Sequence, residues 1–373
     1  SSRSNIFIAN LRRGRLVGHS WAKGILFRER FFHSNILFES NFIFGSILSD
    51  IYIFGGSRSF FRLLTTAQIL KAELHCHNIY SNYRNNSDRI PFDCGVSIQE
   101  QFESALGQGI NVLFITNHNT LDGYSQMLEY QQNHEIFSGI RVYPAQEVTL
   151  NNLGHVLAYG INKEIKSGMS LEETLDEIRS QSAISCAAHP FAVSNGIRDR
   201  ARMCDLIESF NSNNIDTFSN IVAEKFSKDN NMISISGSDS HVASTIGRCI
   251  NTIESDNNID SILTGMRKGH FKDALAQYAT KEELYEHARY VLSSSRESLL
   301  DYSLTHHPKA HKAVRWALNS FLSTRHDRFW RSIASFSLYL TKRASMKVNM
   351  KGHDPEVFEN RSWKKLISMS LVP

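Results

Sequence analysis

The stretch Ala72-Glu73-Leu74-His75-Cys76-His77-Asn78 decides how this chain is read. It is a short run of alternating apolar residues that ends in two histidines two positions apart. On a strand, residues i and i+2 share a face, so His75 and His77 would project together. A single His-x-His carries little weight, because any strand can produce one. Four later stretches, however, also bring a metal-capable side chain to the end of an apolar run. They are Phe114-Ile115-Thr116-Asn117-His118, Tyr143-Pro144-Ala145-Gln146-Glu147, Ser185-Cys186-Ala187-Ala188-His189-Pro190 and Ile235-Ser236-Gly237-Ser238-Asp239-Ser240-His241. Five such ends in order imply a ring of ligands at one rim of a parallel sheet.

The surrounding pattern agrees. From Lys71 the chain alternates between strand-like and helical periods. Strands are expected near 71–76, 110–116, 140–147, 154–160, 183–189, 205–210 and 232–238, and helices at 97–107, 120–134, 171–181, 215–229 and 257–268. Ser170 with Glu173 forms a capping-box signature at the start of the third helix. Such alternation argues for βαβ units and an α/β fold. In parallel barrels the functional groups gather at the C-terminal strand ends, where these candidates sit. Only Val148–Leu153 separates the third and fourth strands, too short for a crossover helix, so a hairpin is expected there. His155 would then begin its strand instead of ending it.

Charge divides the 373 residues into three parts. Residues 1–70 are net +6, residues 71–280 net −9 and residues 281–373 net +7. Residues 1–70 contain ten Phe and sustain no hydrophobic period, and they read as a poorly ordered or non-native extension. Residues 71–280 form the expected domain. Residues 281–373 read as a basic helical extension, with helical patterns at Glu282–Ser303, Pro308–Leu322 and Asp327–Thr341 and no clear period from Ser345 onward. That extension could meet an anionic partner, or pair with a second copy, or simply be a solvated face. The five cysteines lack any CxxC pair and read as reduced, buried thiols. No stretch approaches the ~18 to 20 apolar residues of a membrane span, since Glu39, Asn41 and Asp50 break the apolar region Ile36–Phe54. A cytoplasmic location is expected.

Taken together, residues 71–270 resemble the polymerase and histidinol phosphatase (PHP) family of metal-dependent phosphoesterases. The motifs that carry the resemblance are His75/His77, His118 in Thr-Asn-His-Asn, Glu147, His155 in Gly-His-Val-Leu-Ala-Tyr-Gly, His189 in Ala-His-Pro, and Asp239/His241 in Gly-Ser-Asp-Ser-His. The resemblance implies a distorted seven-stranded, TIM-like (β/α) barrel holding two or three divalent ions at its rim. Imidazole mixed with carboxylate suits Mn, Zn or Fe better than Mg or Ca. A carboxylate such as Glu147 can bridge two cations, and cations ~3.5–4 Å apart can hold a hydroxide and clamp a phosphoryl group. The expected reaction is phosphate-ester hydrolysis, with Glu147, Asp239 and His241 closest to the chemistry.

Two positions depart from the family pattern. Asn117 stands where the family usually has Asp before the second-strand histidine. Asn82 and Tyr83 stand where it often has an early Asp or His, and Asp93 could supply that carboxylate after a longer loop. Arg198 and Arg248 are the expected phosphate contacts, because a guanidinium suits bidentate phosphate recognition. Glu208 and Asn211, at the end of the sixth strand, are expected to support the site or touch substrate. The basic extension favours a nucleotide or short nucleic acid as the phosphate ester. The alternatives are a small-molecule phosphomonoesterase of the histidinol phosphatase type and a non-catalytic regulatory module. A metal-dependent amidohydrolase would add a metal-bridging lysine late on the fourth strand, but Lys163 and Lys166 lie beyond it.

Overall fold

A computed structural model describes residues 68–82, 93–152 and 154–355, so the expectation for residues 1–70 falls almost wholly outside the described residues. Among the described residues nine strands form one sheet: β1 (Gln68–Cys76), β2 (Val112–Ile115), β3 (Arg141–Thr149), β4 (His155–Tyr159), β5 (Ile184–Ala187), β6 (Leu206–Asn211), β7 (Ile233–Gly237), β8 (Cys249–Ser255) and β9 (Phe271–Ala276). Their order is β7-β6-β5-β4-β3-β2-β1-β8-β9. The sheet nearly closes on itself. Beyond the end of β7, Ser240 bridges Cys76 in parallel, and the Asp239 N–H donates to the His75 carbonyl at 2.7 Å. The seven expected strands thus form the barrel-like ring.

β8 and β9 are a correction to the seven-strand expectation. β8 runs antiparallel to β1, and β9 antiparallel to β8. Asn251, Thr252 and Glu254 interrupt the apolar pattern of β8, and Lys272 and Asp273 that of β9. The hairpin expectation holds: β4 is antiparallel to both β3 and β5, whereas β1-β2-β3 and β5-β6-β7 are parallel. The start of β4 therefore lies at the same rim as the ends of the other six strands.

Helices α1 (Ile98–Gly107), α2 (Tyr124–Gln132), α3 (Leu171–Ser180), α4 (Phe218–Asp229) and α5 (Ile259–Arg267) fall within the expected segments. Ser170 and Glu173 cap α3 reciprocally, as their spacing predicts. Beyond the barrel lie α6 (Lys281–Ser294), α7 (Arg296–His306), α8 (His311–Leu322) and α9 (Asp327–Lys351). The expected helix Glu282–Ser303 is broken at Ser295, and α9 runs ten residues past Thr341, because Ala344, Ser345, Lys347 and Val348 bury against the molecule. These helices belong to the same compact unit as the barrel. Ser345 Oγ donates to Asp216 at 2.5 Å, tying α9 to the loop before α4.

Leu70, Ala72 and Leu74 lie in the central core with Phe114, Leu157, Tyr159 and Leu206. Strict alternation from Leu74 would send His75 away from that interior. The pairing of β1 with β2 shifts register between Glu73 and Cys76. Beyond the shift it is Cys76 that joins the outer core around Phe102 and Leu113, while His75 and His77 face the rim. A bulge of this kind re-aims side chains where a site needs them.

The loop after β1 is fixed by Asn117. Its Oδ1 accepts from the Asn78 N–H at 2.9 Å and Ser81 Oγ at 3.1 Å, and its Nδ2 donates to Asn78 Oδ1 at 2.8 Å and the Asp122 carbonyl at 2.9 Å. An aspartate would set a carboxylate oxygen against two acceptors. Asn78 cannot turn to compensate, because its Nδ2 donates to Gln101 and its Oδ1 accepts from the Tyr80 N–H. Asn117→Asp is therefore expected to destabilise the metal-free protein by about 1–3 kcal/mol at pH 7, with the deficit narrowing as the new carboxyl is protonated at low pH. Urea denaturation of both proteins in EDTA measures this, and equal stability would contradict the role given to the amide.

Candidate metal centre

The rim brings together nine side chains foreseen as ligands. His75 and His77 leave β1, His118 follows β2, Glu147 lies in β3 and His155 opens β4. His189 follows β5, and Asp239 and His241 follow β7. Asp93 arrives from the loop before α1. His75, His77 and Glu147 are fully buried.

Glu147 stands at the centre. Its Oε1 lies 2.7 Å from His155 Nδ1 and 3.0 Å from His189 Nε2. Its Oε2 lies 3.2 Å from both His75 Nε2 and His77 Nε2 and 3.3 Å from His118 Nδ1. Asp239 Oδ1 approaches His75 and His77 at 3.5 and 3.4 Å. Asp93 Oδ2 lies 3.3 Å from His241 Nε2 and 3.5 Å from His118 Nε2. Three groups have ligand atoms within 4.8 Å of one another: His75, His77, Glu147 and Asp239; His77, Asp93, His118 and His241; and His118, Glu147 and His155.

These residues fit divalent cations on the structure's own terms. His77 Nε2, His155 Nδ1 and Asp93 Oδ2 are buried and make no hydrogen bond, although ligand-type atoms of neighbouring side chains crowd around them. Buried polar atoms without partners are costly and rare. Cations accepting these lone pairs would satisfy all three. A neutral imidazole has one free lone pair, so His118 serves either the Glu147 side or the Asp93 side. The three groups are therefore candidate sites for divalent cations, two of them sharing His118.

Surrounding groups set the tautomers. Glu208 Oε1 lies 2.8 Å from His75 Nδ1, so that nitrogen donates and Nε2 is the atom left to hold a cation on the Glu147 side. The other Glu208 oxygen accepts from the His189 N–H at 2.6 Å and Asn211 Nδ2 at 2.9 Å. His77 Nδ1 lies 3.2 Å from Ser81 Oγ, and His241 Nδ1 lies 2.8 Å from the Asp239 carbonyl. Gly237 gives Glu208 its passage, since a Cβ there would collide with the carboxylate. His189 and Asp239 take left-handed backbone at φ 27° and 50°. Such conformations cost on the order of 1–3 kcal/mol each and collect at functional sites.

The electrostatics follow from crowding. Burial opposes charge on His241, but the Asp93 carboxylate overrides it and pushes the imidazole up to about 10. Burial takes His118 down to about 4, against the pull of Glu147. Burial would raise Glu147, yet the surrounding imidazoles hold it well below the usual carboxylate range.

Asp93 comes to the place that Asn82 leaves open. Asn82 Oδ1 accepts from the Asp93 N–H at 2.5 Å and the Cys94 N–H at 3.0 Å, and so holds the returning chain. Glu208 and Asn211 support the ring, and the strand-end position of Glu208 was the signal. The arginines do not join it. Arg248 pairs with Glu283 and lies 3.3 Å from Gln277, so the phosphate-contact expectation is not carried by its geometry. Arg198 donates to the Phe191 carbonyl at 3.1 Å and Asn349 Oδ1 at 2.5 Å. The unforeseen group is Glu73, fully buried beneath the site, which accepts from Ser238 Oγ and the Gly247 N–H. Burial pushes its carboxyl up to about 7. All five cysteines are free and buried.

Residues 218–271 match the family described as PHP-associated. An uncharacterized protein of Methanocaldococcus jannaschii is 28% identical over 158 residues, covering 41% of this chain and 89% of its own length. Among solved structures, PsfC from Pseudomonas syringae is 16% identical, with a TM-score of 0.43, 62% of this chain covered and 99% of that one. A lesion-specific endonuclease from Pyrococcus furiosus is 16% identical, with a TM-score of 0.39, 54% of this chain covered and 56% of that one. The matched segment at 218–271 contains Asp239 and His241, two of the residues on which the resemblance to the polymerase and histidinol phosphatase (PHP) family rests.

Proposed function

We propose that this protein is a metal-dependent phosphoesterase that hydrolyses a phosphate ester at the Glu147 rim. The observation that carries the reading is Glu147 itself, whose two oxygens face five imidazoles inside a ring of strand ends. Divalent cations held by these side chains would neutralise phosphate charge and lower the pKa of a bound water. The mixed imidazole and carboxylate donors favour Mn, Zn or Fe. Glu147 and Asp239 place negative charge between the imidazoles, and Glu208 fixes the His75 tautomer. A nucleotide or short nucleic acid is the favoured substrate class, supported by the basic character of residues 281–373.

The regulatory alternative rested on Asn117 and on the missing early carboxylate. Asn117 is fully used as a loop pin, and Asp93 reaches the ring by a longer path. Neither feature now favours loss of turnover.

Three outcomes are expected. With Mn, Zn or Fe present, the wild-type chain hydrolyses p-nitrophenyl phosphate or its bis-ester, and His75→Ala and Asp239→Ala each lower turnover more than about 100-fold, beyond the loss of an outer-shell partner. A folded, metal-loaded wild type inert toward both esters would restore the regulatory reading. Secondly, metal uptake at pH 7 displaces one or more protons per chain, because neighbouring carboxylates, against burial, raise His241, His75 and His189 in the metal-free protein. Binding therefore weakens as pH falls, and calorimetry in buffers of different ionisation enthalpy reads the proton directly; a count of zero would contradict the electrostatics. Finally, affinity for single-stranded oligonucleotide falls steeply with salt if the basic helices meet the substrate. Salt-independent turnover would favour a small monoester.

A further inference from the structure

Helix α6 lies outside the ring of strand ends, yet one of its faces meets two of the loops that feed the ring. Glu283 pairs with Arg248, and Glu286 accepts from Ser244 Oγ at 2.8 Å. His287 Nε2 lies 2.7 Å from the Asp93 carbonyl, so it donates there. The His287 ring is also 4.9 Å from that of His241. Tyr290 Oη accepts from Asn82 Nδ2 at 3.3 Å. These positions recur at i, i+3, i+4 and i+7, a single helical face.

The two loops also hold each other. The Gly95 N–H donates to the His241 carbonyl at 3.0 Å. The Tyr290 ring packs so closely on Gly95 that a Cβ there would meet it at 2.7 Å. The Asp93 carboxylate is consequently positioned from both sides of its own backbone. Asn82 accepts from its N–H and His287 donates to its carbonyl. Asp93 is half-buried and stands in a loop without a sheet neighbour, whereas Glu147 is locked within β3. Of the ring members, it depends most on such outside support.

We propose that His287 is a positioning residue for the group His77, Asp93, His118 and His241, and that α6 is the wall that completes this part of the metal centre. The inference rests on the metal reading above and deepens it. It predicts that loss of the His287 bond weakens one ion and spares the others, because the Glu147 and Asp239 contacts do not pass through α6.

The test is titration of Mn²⁺ alone into metal-free, full-length wild type, His287→Ala and His287→Gln, followed by calorimetry, with circular dichroism as a check on folding. The glutamine can present an amide N–H to the same carbonyl. In His287→Ala, one binding event is expected to weaken about 10-fold or more while the others are unchanged, as for other outer-shell partners of metal ligands. His287→Gln is expected to titrate like the wild type. A His287→Ala titration that matches the wild type overturns the inference. So does equal weakening of every ion, or a glutamine variant as weak as the alanine one. A wild-type chain that takes up no Mn²⁺ instead overturns the metal reading, and this inference with it.

Discussion

One buried carboxylate facing five imidazoles is the constraint on which the rest of this structure depends. Burying a carboxylate is expensive unless it is paired. The imidazoles around Glu147 cannot all be protonated, since they also crowd one another, with ring centroids 4.6 Å apart for His77 and His118 and 5.2 Å for His155 and His189. Neutral rings and carboxylates share such a space most economically around cations, which accept lone pairs from both. The proposed chemistry of the rim rests on that arrangement and calls on no nucleophilic side chain.

The fold bends its own rules to build the ring. The register shift in β1 turns His75 and His77 toward it. The antiparallel course of β4 brings the start of a strand, and with it His155, to a rim otherwise made of strand ends. Left-handed backbone at His189 and Asp239, together with the absent Cβ at Gly237, lets side chains converge where regular strands would splay them. Each device weakens the local structure slightly. The three apolar clusters inside and around the barrel offset it.

Much of this was legible in the sequence, for identifiable reasons. Apolar runs ending in His, Glu or Asp marked the ring members on five strands, because strand periodicity is local. The hairpin before His155 was legible from a connection too short for a helix. β8 and β9 were not, because polar residues interrupt their patterns. Asp93 could be suggested but not placed, since loop length carries no periodicity. Arg248 was singled out for its nearness to His241 in sequence; in the structure it pairs with Glu283, which lies on another element. No local signal couples His287 to Asp93 across 194 positions, and only the packing of α6 shows it.

The most direct test of the central claim is anomalous diffraction from crystals of the full chain grown with Mn²⁺ and measured at the manganese edge. The account predicts two or three peaks at the rim, with the Glu147 carboxylate in contact with at least two of them. Crystals with ordered Glu147 and histidines but no anomalous peak beside that carboxylate would contradict it.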